Sequence, residues 1–510
     1  MPIAAPPHSG NDRRGLSAAL LATVGVFLAR VPVLPHRRFD PDEFEHAHAA
    51  WCFFKGMVPY RDFFEHHTPA YYYLLRPFFR WFAVDTSFDS ALHFLVFGRC
   101  LSVALSILSV FLLTRIGQLW QDSDQAAEPT PHGVGPLAGL LLATQPIFLQ
   151  KAIEIRPDML ALPFFLGSLW LLLRGMARQA AGAGALKHFA ASGFSLGVAI
   201  MSTQKMLFVL PGALVGLGLW SLLADSPDGR HLALRFDLAR ALGTATFLLA
   251  ALIPGVLTWC AFEANHAGHA FIANNFLLNA HWKHFSTHQG VKLLTTSWPM
   301  LVFALLGALV FLRRFWRSTT RPHGGLVLLC TVVGLLLGVL VIPVAQRQYY
   351  LMPLPLACLF AAHGLMFAIE RLPERRRPSA TAVLAILLAV LPAIALGESF
   401  VEGNEEQLAK LRQVFQRTKP TDVVLDGWDG MGVFRPHALY YYFLHEEARA
   451  ILPQEQVDAF LDALDSGRIR PRLIAMDENL AALGPRFIAI VNRHYVSNDG
   501  YFYDPRPVAP

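Results

Sequence analysis

The sequence predicts an all-α polytopic membrane domain of about 11 transmembrane helices, followed by a small soluble α/β domain. Hydrophobic residues make up 54% of the 510 residues and charged residues only 16%, whereas a typical soluble chain is about 25% charged. Eleven apolar segments approach the length of about 20 residues that a membrane-spanning helix needs. After residue 397 the composition becomes that of a soluble protein. We therefore predict a transmembrane catalytic domain over 1–397 and an external soluble domain over 398–510.

The eleven predicted spans are separated by polar loops. Their presence excludes the disordered, fibrous and secreted classes of protein. They cover residues 16–34, 93–114, 135–150, 158–173, 189–203, 206–224, 241–261, 298–312, 325–343, 349–370 and 379–397. The five cysteines contain no CxxC pair, and four of them lie within or at the edge of apolar spans. The sequence therefore predicts neither a disulfide framework nor a thiolate metal site.

Basic residues are distributed unevenly between the two sets of loops. If the N-terminus is cytoplasmic, the cytoplasmic side holds 17 Lys and Arg residues, and the short loops on the outer side hold six. Because basic residues accumulate in cytoplasmic loops, this bias predicts a cytoplasmic N-terminus in the cell (inner) membrane. An odd number of spans then places residues 398–510 on the external or periplasmic side. The net charge of +6 follows from the same bias, and no nucleic-acid partner is predicted.

The long outer loop 35–92 contains two predicted helices that lie at the membrane surface. The first begins at Asp40 as its N-cap, and Glu43 completes a capping box three residues later. The second covers 70–82 and follows Thr68, which is the expected cap. Its many aromatic residues are typical of a helix in the membrane interface.

The C-terminal region has short apolar runs that predict strands. They are residues 422–426, 472–476 and 487–491. Between them lie polar segments with helical spacing, so the region is predicted to be an α/β domain.

Acidic residues crowd the start of the first loop helix. Asp42 and Glu43 lie in its first turn, where an acidic side chain stabilises the helix dipole by about 0.3–1 kcal/mol. That structural role suffices for one or two acids, but Asp40, Asp42, Glu43 and Glu45 together exceed what one helix terminus requires. A carboxylate at the membrane surface can also act as a general base toward a hydroxyl.

A second polar cluster lies further along the same loop, within residues 60–69. It contains Asp62, Glu65, His66 and His67. A second outer loop, residues 262–297, adds His281, His284 and His288. Carboxylate and imidazole groups at close spacing can bind a divalent cation, although such groups are also common at a wet interface without one. The two loops can therefore supply a shared metal site.

Four cations, Arg156, Lys205, Lys283 and Arg347, lie next to the membrane in the outer loops. One such residue is ordinarily explained by a long side chain that extends from a helix end into the interface. Several on the same side of the membrane favour a site. Arg and Lys side chains both suit a phosphate or pyrophosphate, and the anion expected at this depth is a lipid head group.

These segments together resemble the GT-C superfamily of integral-membrane glycosyltransferases, in the branch of protein O-mannosyltransferases and lipid A aminoarabinose transferases. The segment "DEFEHAHAAWCFFKGMVPYRDFFEHHTPAYYYLL" (42–75) is similar to the first outer loop of that branch. "RPDM" (156–159), Lys205 in "STQKMLFVLPG" and "QYYLMPLPL" (348–356) match later landmarks in the same order. The resemblance covers roughly residues 15–400.

The resemblance implies a glycosyltransferase that moves a sugar from a polyprenyl-phosphate donor to a lipid, glycan or protein acceptor on the outer face. It implies that Asp42 is the catalytic base with Glu43 as its neighbour. It also implies that Glu65 and His281 bind a divalent metal ion such as zinc, magnesium or manganese.

The resemblance further implies a set of residues that contact the donor phosphate. They are His66, Arg156, Lys205, Lys283, His284, Arg347 and Tyr350, with Asp62 and Asp158 as additional site positions. The chain departs from the branch at one of these positions. The branch has a Glu-Lys-Pro-Pro segment where this chain reads Glu65-His66-His67-Thr68-Pro69, so His66 stands in place of a lysine.

Two other functions are compatible with a polytopic membrane protein. A transporter or flippase of a polar lipid would place its site near the middle of the bilayer, in broken helices, whereas the polar groups here are concentrated at the outer interface. A lipid-linked glycan ligase would share the donor chemistry without this Asp-Glu loop.

The basic-residue bias predicts where the C-terminal region lies. A cysteine introduced at position 450 should react with a membrane-impermeant reagent in intact cells, because eleven spans place residues 398–510 outside. Protection of this cysteine until the membrane is permeabilised would contradict the eleven-span topology.

Overall fold

The structure is a computed structural model that describes residues 10–124, 133–225, 232–278, 288–317, 323–342, 346–398, 403–497 and 499–507. Helices dominate the region before residue 399. They are α1 (Gly10–Arg30), α2 (Pro41–Phe54), α3 (Ala70–Phe82), α4 (Phe88–Asp124), α5 (Val134–Thr144), α6 (Pro146–Lys151), α7 (Pro157–Ala180), α8 (Leu186–Ser202), α9 (Val209–Leu222), α10 (Leu238–Glu263), α11 (Gly268–Ile272), α12 (His288–Arg317), α13 (His323–Val341), α14 (Leu354–Ile369) and α15 (Arg377–Glu398). A short hairpin of β1 (Leu223–Asp225) and β2 (Leu232–Leu234) joins α9 to α10.

The predicted all-α membrane domain is confirmed, because a helix lies at each of the eleven predicted spans. Within the described residues, six helices are long and apolar enough to cross a membrane. They are Phe88–Trp120, Pro157–Ala180, Gln204–Leu222, Leu238–Glu263, Ser297–Arg317 and His323–Val341. The predicted span at 135–150 is divided into α5 and α6 at Gln145, whose backbone is extended because Pro146 disfavours helical geometry in the residue before it. The chain is therefore a multi-pass membrane protein.

The two predicted helices of the first loop are α2 and α3. Asp40 caps α2, and the reciprocal hydrogen bonds of the capping box with Glu43 are both present. The prediction that Thr68 caps α3 is wrong. Pro69 occupies the N-cap position without a side-chain hydrogen bond, and the Thr68 hydroxyl instead donates to the Ile200 carbonyl at 3.0 Å. Thr68 thereby ties the first loop to the end of α8.

A buried ion pair fixes α2 against α4. Arg99 donates to both carboxylate oxygens of Glu43, at 2.7 and 2.9 Å, and both side chains are fully buried. The remaining guanidinium hydrogens go to the carbonyls of Leu34, Arg37 and Arg38, at 2.6–3.1 Å. One arginine therefore positions the chain that enters α2 as well as α2 itself.

The C-terminal region has the predicted α/β character. It contains α16 (Glu405–Arg417), α17 (Glu446–Ile451), α18 (Gln454–Asp465), α19 (Glu478–Ala481) and α20 (Pro485–His494), with β3 (Val424–Leu425), β4 (Leu473–Ala475), β5 (Tyr495–Ser497) and β6 (Phe502–Pro505). The sheet order is β3-β4-β6-β5. Strands β3 and β4 are parallel, whereas β6 is antiparallel to both β4 and β5.

One of the three predicted strands in this region is wrong. Residues 487–491 lie within α20. Phe487, Ile490 and Val491 have the i, i+3, i+4 spacing of one helix face, and all three are buried. Pro485 in the first turn suits the start of a helix, and the apolar run has the period of a helix instead of that of a strand.

The C-terminal region packs directly on the first loop. Phe434 contacts the rings of Phe79 and Phe94 in a hydrophobic core that both regions share. Gln407 exchanges two hydrogen bonds with the backbone of Phe39, at 2.8 and 3.0 Å. Deleting 405–510 would therefore uncover apolar surface on α2, α3 and α4.

The Glu43–Arg99 pair is expected to contribute strongly to the stability of the fold. Glu43→Gln leaves the buried Arg99 charge without its partner, and breaking a buried ion pair in this way typically costs about 3–5 kcal/mol. The Tm of the detergent-solubilised variant should fall clearly. Asp62→Asn is the matched control, since the exposed Arg61–Asp62 pair should contribute little. Equal Tm values for the two variants would contradict this assignment.

Candidate active site

A cavity of about 600 Å³ lies where the membrane helices meet the first loop and the C-terminal region. Its walls come from the first turns of α2, the α6–α7 junction, the 3₁₀ segments Gln204–Phe208 and Arg347–Leu351, and residues of the C-terminal region. Charged, apolar and aromatic side chains line different parts of it.

Asp42 lines the cavity from the first turn of α2. Its Oδ2 atom accepts a hydrogen bond from Arg156 Nη1 at 2.8 Å, and the carboxylate side chain is 23% exposed. Burial acts to raise the pKa of Asp42, but the positive charge of Arg156, helped by His46 and Lys151, outweighs it and holds this pKa below its ordinary range. Asp42 is therefore ionised at neutral pH.

Alternating charges extend from Asp42 along the α6–α7 junction. Lys151 Nζ lies 2.8 Å from Asp40 Oδ2 and 2.9 Å from Glu154 Oε2. Glu154 also accepts from Arg37 at 3.1 Å and from Arg156 at 3.2 Å. Because each buried carboxylate has a cation beside it, the network can remain charged without an isolated charge in the interior.

The next wall of the cavity carries the predicted phosphate-binding residues of the later loops. Lys205 Nζ lies 3.3 Å from Asp158 Oδ1 and 4.2 Å from the ring centroid of Tyr349. Arg347 lines the same wall. The aromatic residue of this segment that lines the cavity is Tyr349, whereas the predicted Tyr350 is not among the lining residues.

The membrane side of the cavity is apolar. Leu207, Phe208, Val341 and Ile342 line it, at the start of the Gln204–Leu222 span and at the end of the His323–Val341 span. One cavity thus joins an apolar wall at the ends of two membrane helices to a wall of cations and carboxylates.

A cluster of carboxylates and imidazoles lies on the α2 side of the cavity. Single ligand atoms of Glu45, Glu65, His66 and His67 all lie within 4.8 Å of one another. Glu65 Oε1 accepts from His67 Nδ1 at 2.9 Å, and Glu65 Oε2 is buried with no hydrogen-bond partner among the described residues. Burial and the neighbouring charge of Glu65 raise the pKa of Glu45 well above its ordinary value. This donor set fits a divalent cation.

The C-terminal region forms the remaining wall with Trp428, His445 and Glu447. His445 Nδ1 lies 2.9 Å from Glu447 Oε2. These residues lie more than 370 positions from α2 along the chain, so they reach the cavity only because the two regions share a core.

The structure brings most of the predicted site residues together. Those that line or directly border the cavity are Asp42, Glu65, His66, Arg156, Asp158, Lys205 and Arg347. Glu43 faces the interior, where its carboxylate forms an ion pair with Arg99. Asp62 forms an ion pair with Arg61 in the exposed part of the loop. Neither Glu43 nor Asp62 lines the cavity. His281, Lys283 and His284 lie outside the described residues.

Sequence reasoning assigned no site role to several residues that line the cavity. They are Glu45, Lys151, Gln204, Tyr349, Trp428, His445 and Glu447. Glu45 could have been found, because it follows Asp42 by three positions and therefore lies on the same helix face. Lys151 and Gln204 lie within the polar juxtamembrane segments that the sequence singles out. No local signal marks the residues of the C-terminal region.

Three solved structures have folds similar to that of this chain. ArnT from Cupriavidus metallidurans bound to undecaprenyl phosphate is 14% identical, with a TM-score of 0.62 over 97% of this chain and 98% of that chain. The oligosaccharyltransferase AglB from Archaeoglobus fulgidus, solved with an inhibitory peptide and a dolichol-phosphate, is 12% identical, with a TM-score of 0.56 over 97% of this chain and 75% of that chain. The A. fulgidus enzyme in complex with zinc and sulfate gives a TM-score of 0.55 at 12% identity, over 96% and 73% of the two chains.

Sequence comparison gives no such match. No protein-family model and no curated protein matches the chain. At these low identities the structural likeness establishes the fold. The resemblance seen in the sequence motifs is therefore confirmed at the level of the fold: this chain has a fold similar to those of ArnT and the oligosaccharyltransferase AglB.

Proposed function

We propose that the protein is a membrane glycosyltransferase that moves a sugar from a polyprenyl-phosphate-linked donor to an acceptor hydroxyl on the outer face. The observation that carries this proposal is the composition of the cavity. Its apolar wall suits a prenyl chain, its cations suit a phosphate, and an ionised carboxylate lies beside those cations. The likeness to ArnT, which was solved with undecaprenyl phosphate, supports the same class of ligand.

The proposed donor spans the two kinds of wall. The first isoprene units contact Leu207, Phe208 and Ile342, and the phosphate lies near Lys205 and Arg347. Burial of apolar surface supplies binding energy at about 25 cal/mol per Å², which a water-soluble sugar phosphate would lack. The ring of Tyr349, whose centroid lies 4.2 Å from Lys205 Nζ, would help to hold the ammonium in place.

The proposed reaction is a single displacement at the anomeric carbon. Asp42 accepts the proton of the acceptor hydroxyl while that oxygen bonds to the anomeric carbon. The bond between this carbon and the phosphate oxygen breaks, and its electron pair leaves with polyprenyl phosphate. Lys205, Arg347 and Arg156 stabilise the charge that develops on the leaving group. A single displacement inverts the anomeric configuration.

Arg156 connects donor binding to the basicity of Asp42. In the free enzyme this arginine lowers the pKa of Asp42, which keeps the carboxylate ionised but makes it a weak base. A donor phosphate in the cavity would attract the same guanidinium and loosen its hydrogen bond to Asp42. The pKa of Asp42 would then rise, and the carboxylate would become a stronger base only when donor is bound.

The cluster of Glu45, Glu65, His66 and His67 would hold a divalent metal ion. When bound there, the ion would add positive charge on the α2 side of the cavity, where the proposed site handles an anionic donor. His67 and the Glu65 carboxylate are already oriented toward each other. Zinc is consistent with this ligand set, and the A. fulgidus enzyme of similar fold was solved with zinc and sulfate.

The function is tested with purified protein in vesicles that contain a polyprenyl-phosphate sugar labelled in the sugar. Transfer predicts that the label becomes covalently attached to an envelope-derived acceptor and that free polyprenyl phosphate is released. Movement of the intact labelled lipid across the bilayer, without release of polyprenyl phosphate, would contradict the proposal and indicate a flippase.

Asp42→Asn should slow turnover at least about a hundredfold, because loss of a general base typically costs 10²–10⁴ in rate. The variant should still fold and bind donor lipid. Asp40→Asn is the matched control in the same turn. Asparagine caps a helix about as well as aspartate, and Lys151 keeps Glu154 as a partner. Near-normal turnover of Asp42→Asn, or equal losses in both variants, would contradict the assignment of the base.

The pH dependence of kcat/KM tests the role of Arg156, because this ratio reports ionisations of the free enzyme. Arg156 lowers the pKa of Asp42, so the base remains ionised as the pH falls. In Arg156→Gln the largest of the charges that oppose the effect of burial is lost, and the pKa of Asp42 should rise. The acid limb of the profile should therefore move to higher pH. Arg156→Lys keeps the charge and should leave the limb near its original position. An unchanged limb in Arg156→Gln would show that Asp42 is not the titrating base.

A further inference from the structure

Three potential metal ligands meet where α2 contacts the C-terminal region, outside the cavity described above. His48 and Cys52 are one turn apart on α2, and His437 comes from the segment between β3 and α17. His48 Nε2 lies 2.8 Å from His437 Nδ1 and 3.3 Å from Cys52 Sγ, and the third distance, Cys52 Sγ to His437 Nδ1, is 3.7 Å. His48 and Cys52 are buried. None of the three lines the proposed active site.

The orientation of His48 is fixed by a hydrogen bond on its other nitrogen. His48 Nδ1 lies 2.9 Å from the Val433 carbonyl oxygen. A carbonyl only accepts hydrogen bonds, so Nδ1 carries the proton and the lone pair of Nε2 points toward Cys52 and His437. Metal-binding histidines are oriented by this kind of hydrogen bond from the second ring nitrogen to a carbonyl or carboxylate.

The spacing of the three atoms is close to that of a tetrahedral zinc site. Zn–N bonds of about 2.0–2.1 Å and Zn–S bonds of about 2.3 Å place the ligand atoms about 3.3–3.6 Å apart. Two of the three observed distances, 3.3 and 3.7 Å, agree with this. The shortest, between the two imidazoles, would need to widen by about 0.5 Å as the ion replaces their hydrogen bond.

We propose that His48, Cys52 and His437 bind a zinc ion that fastens the C-terminal region to α2. Two imidazoles and a thiolate suit zinc and exclude magnesium or calcium, which prefer oxygen ligands. Binding forms one Zn–S and two Zn–N bonds, and the thiol releases its proton to solvent. A cavity of about 20 Å³ beside His48 and His437 has room for one water molecule as the fourth ligand. It has no room for a substrate, so the ion is structural.

This ion would act on the proposed active site from a distance. His437 belongs to the same stretch of chain as His445 and Glu447, which form the wall that the C-terminal region contributes to the cavity. His48 lies on the same helix as Asp42. Zinc would therefore hold the two sides of the cavity at a fixed separation, in addition to the hydrogen bonds and apolar contacts that join the two regions.

Cobalt(II) is the probe that distinguishes this site from the cluster at the cavity, because a thiolate bound to cobalt gives a sulfur-to-cobalt charge-transfer band. The full-length protein in detergent is treated with a chelator and titrated with cobalt(II). The wild type should show the band. Cys52→Ser should lose it, and Cys100→Ser should keep it, since Cys100 is an exposed thiol on α4. Glu65→Gln should also keep it, because the cluster at the cavity contains no sulfur.

The wild-type measurement stands even if a variant fails to fold. X-ray absorption at the zinc edge of the wild type should show a Zn–S contribution. Zinc should raise the Tm of the chelated wild type by more than it raises that of His437→Asn, because the cluster at the cavity is present in both proteins. Absence of a charge-transfer band and of a Zn–S signal in the wild type would overturn the proposal and leave a hydrogen-bonded His–His–Cys cluster. Retention of the full band in Cys52→Ser would overturn it as well. These results are independent of whether the protein transfers sugar.

Discussion

The position of the proposed active site depends on the buried pair of Arg99 and Glu43. Asp42 precedes Glu43 in the first turn of α2, so any rotation of this turn would move the carboxylate away from Arg156. Arg99 prevents that rotation from inside the membrane domain, because it holds both oxygens of Glu43 and three carbonyls of the preceding loop. The second acid of the Asp-Glu pair thus acts as a structural anchor, while the first faces the cavity.

Compensated charge is the second constraint on the site. Carboxylates and cations alternate from Arg37 through Glu154 to Arg156, and Lys205 is paired with Asp158. An isolated buried charge would cost far more than such pairs do. The cations that the proposal assigns to the donor phosphate therefore already have partners in the free protein, and phosphate binding would be an exchange of partners.

Local patterns predicted the fold and part of the site, and contacts distant in sequence account for the rest. The length of the apolar segments predicted the membrane helices, and the Asp40–Glu43 capping box predicted the start of α2. Both signals depend only on residues close together in the sequence. Residues 487–491 were misread, since a short apolar run is compatible with a strand or a helix. The partners Asp42 and Arg156 are 114 positions apart. The absence of CxxC spacing likewise gave no hint of Cys52 beside His437, because the fold alone brings these two residues together.

Partner exchange in the cavity bears on which donors the protein would accept. A free phosphate would have to displace Asp42 from Arg156 and Asp158 from Lys205, and it would gain little because the attraction it replaces is of similar strength. A lipid-linked phosphate brings an additional contribution from the isoprene units against Leu207, Phe208 and Ile342. The paired cations would therefore weaken the binding of water-soluble phosphates, and the apolar wall would strengthen the binding of a lipid-linked phosphate. Selectivity for the proposed lipid-linked donor would then arise from the competition within the site as much as from the prenyl contacts.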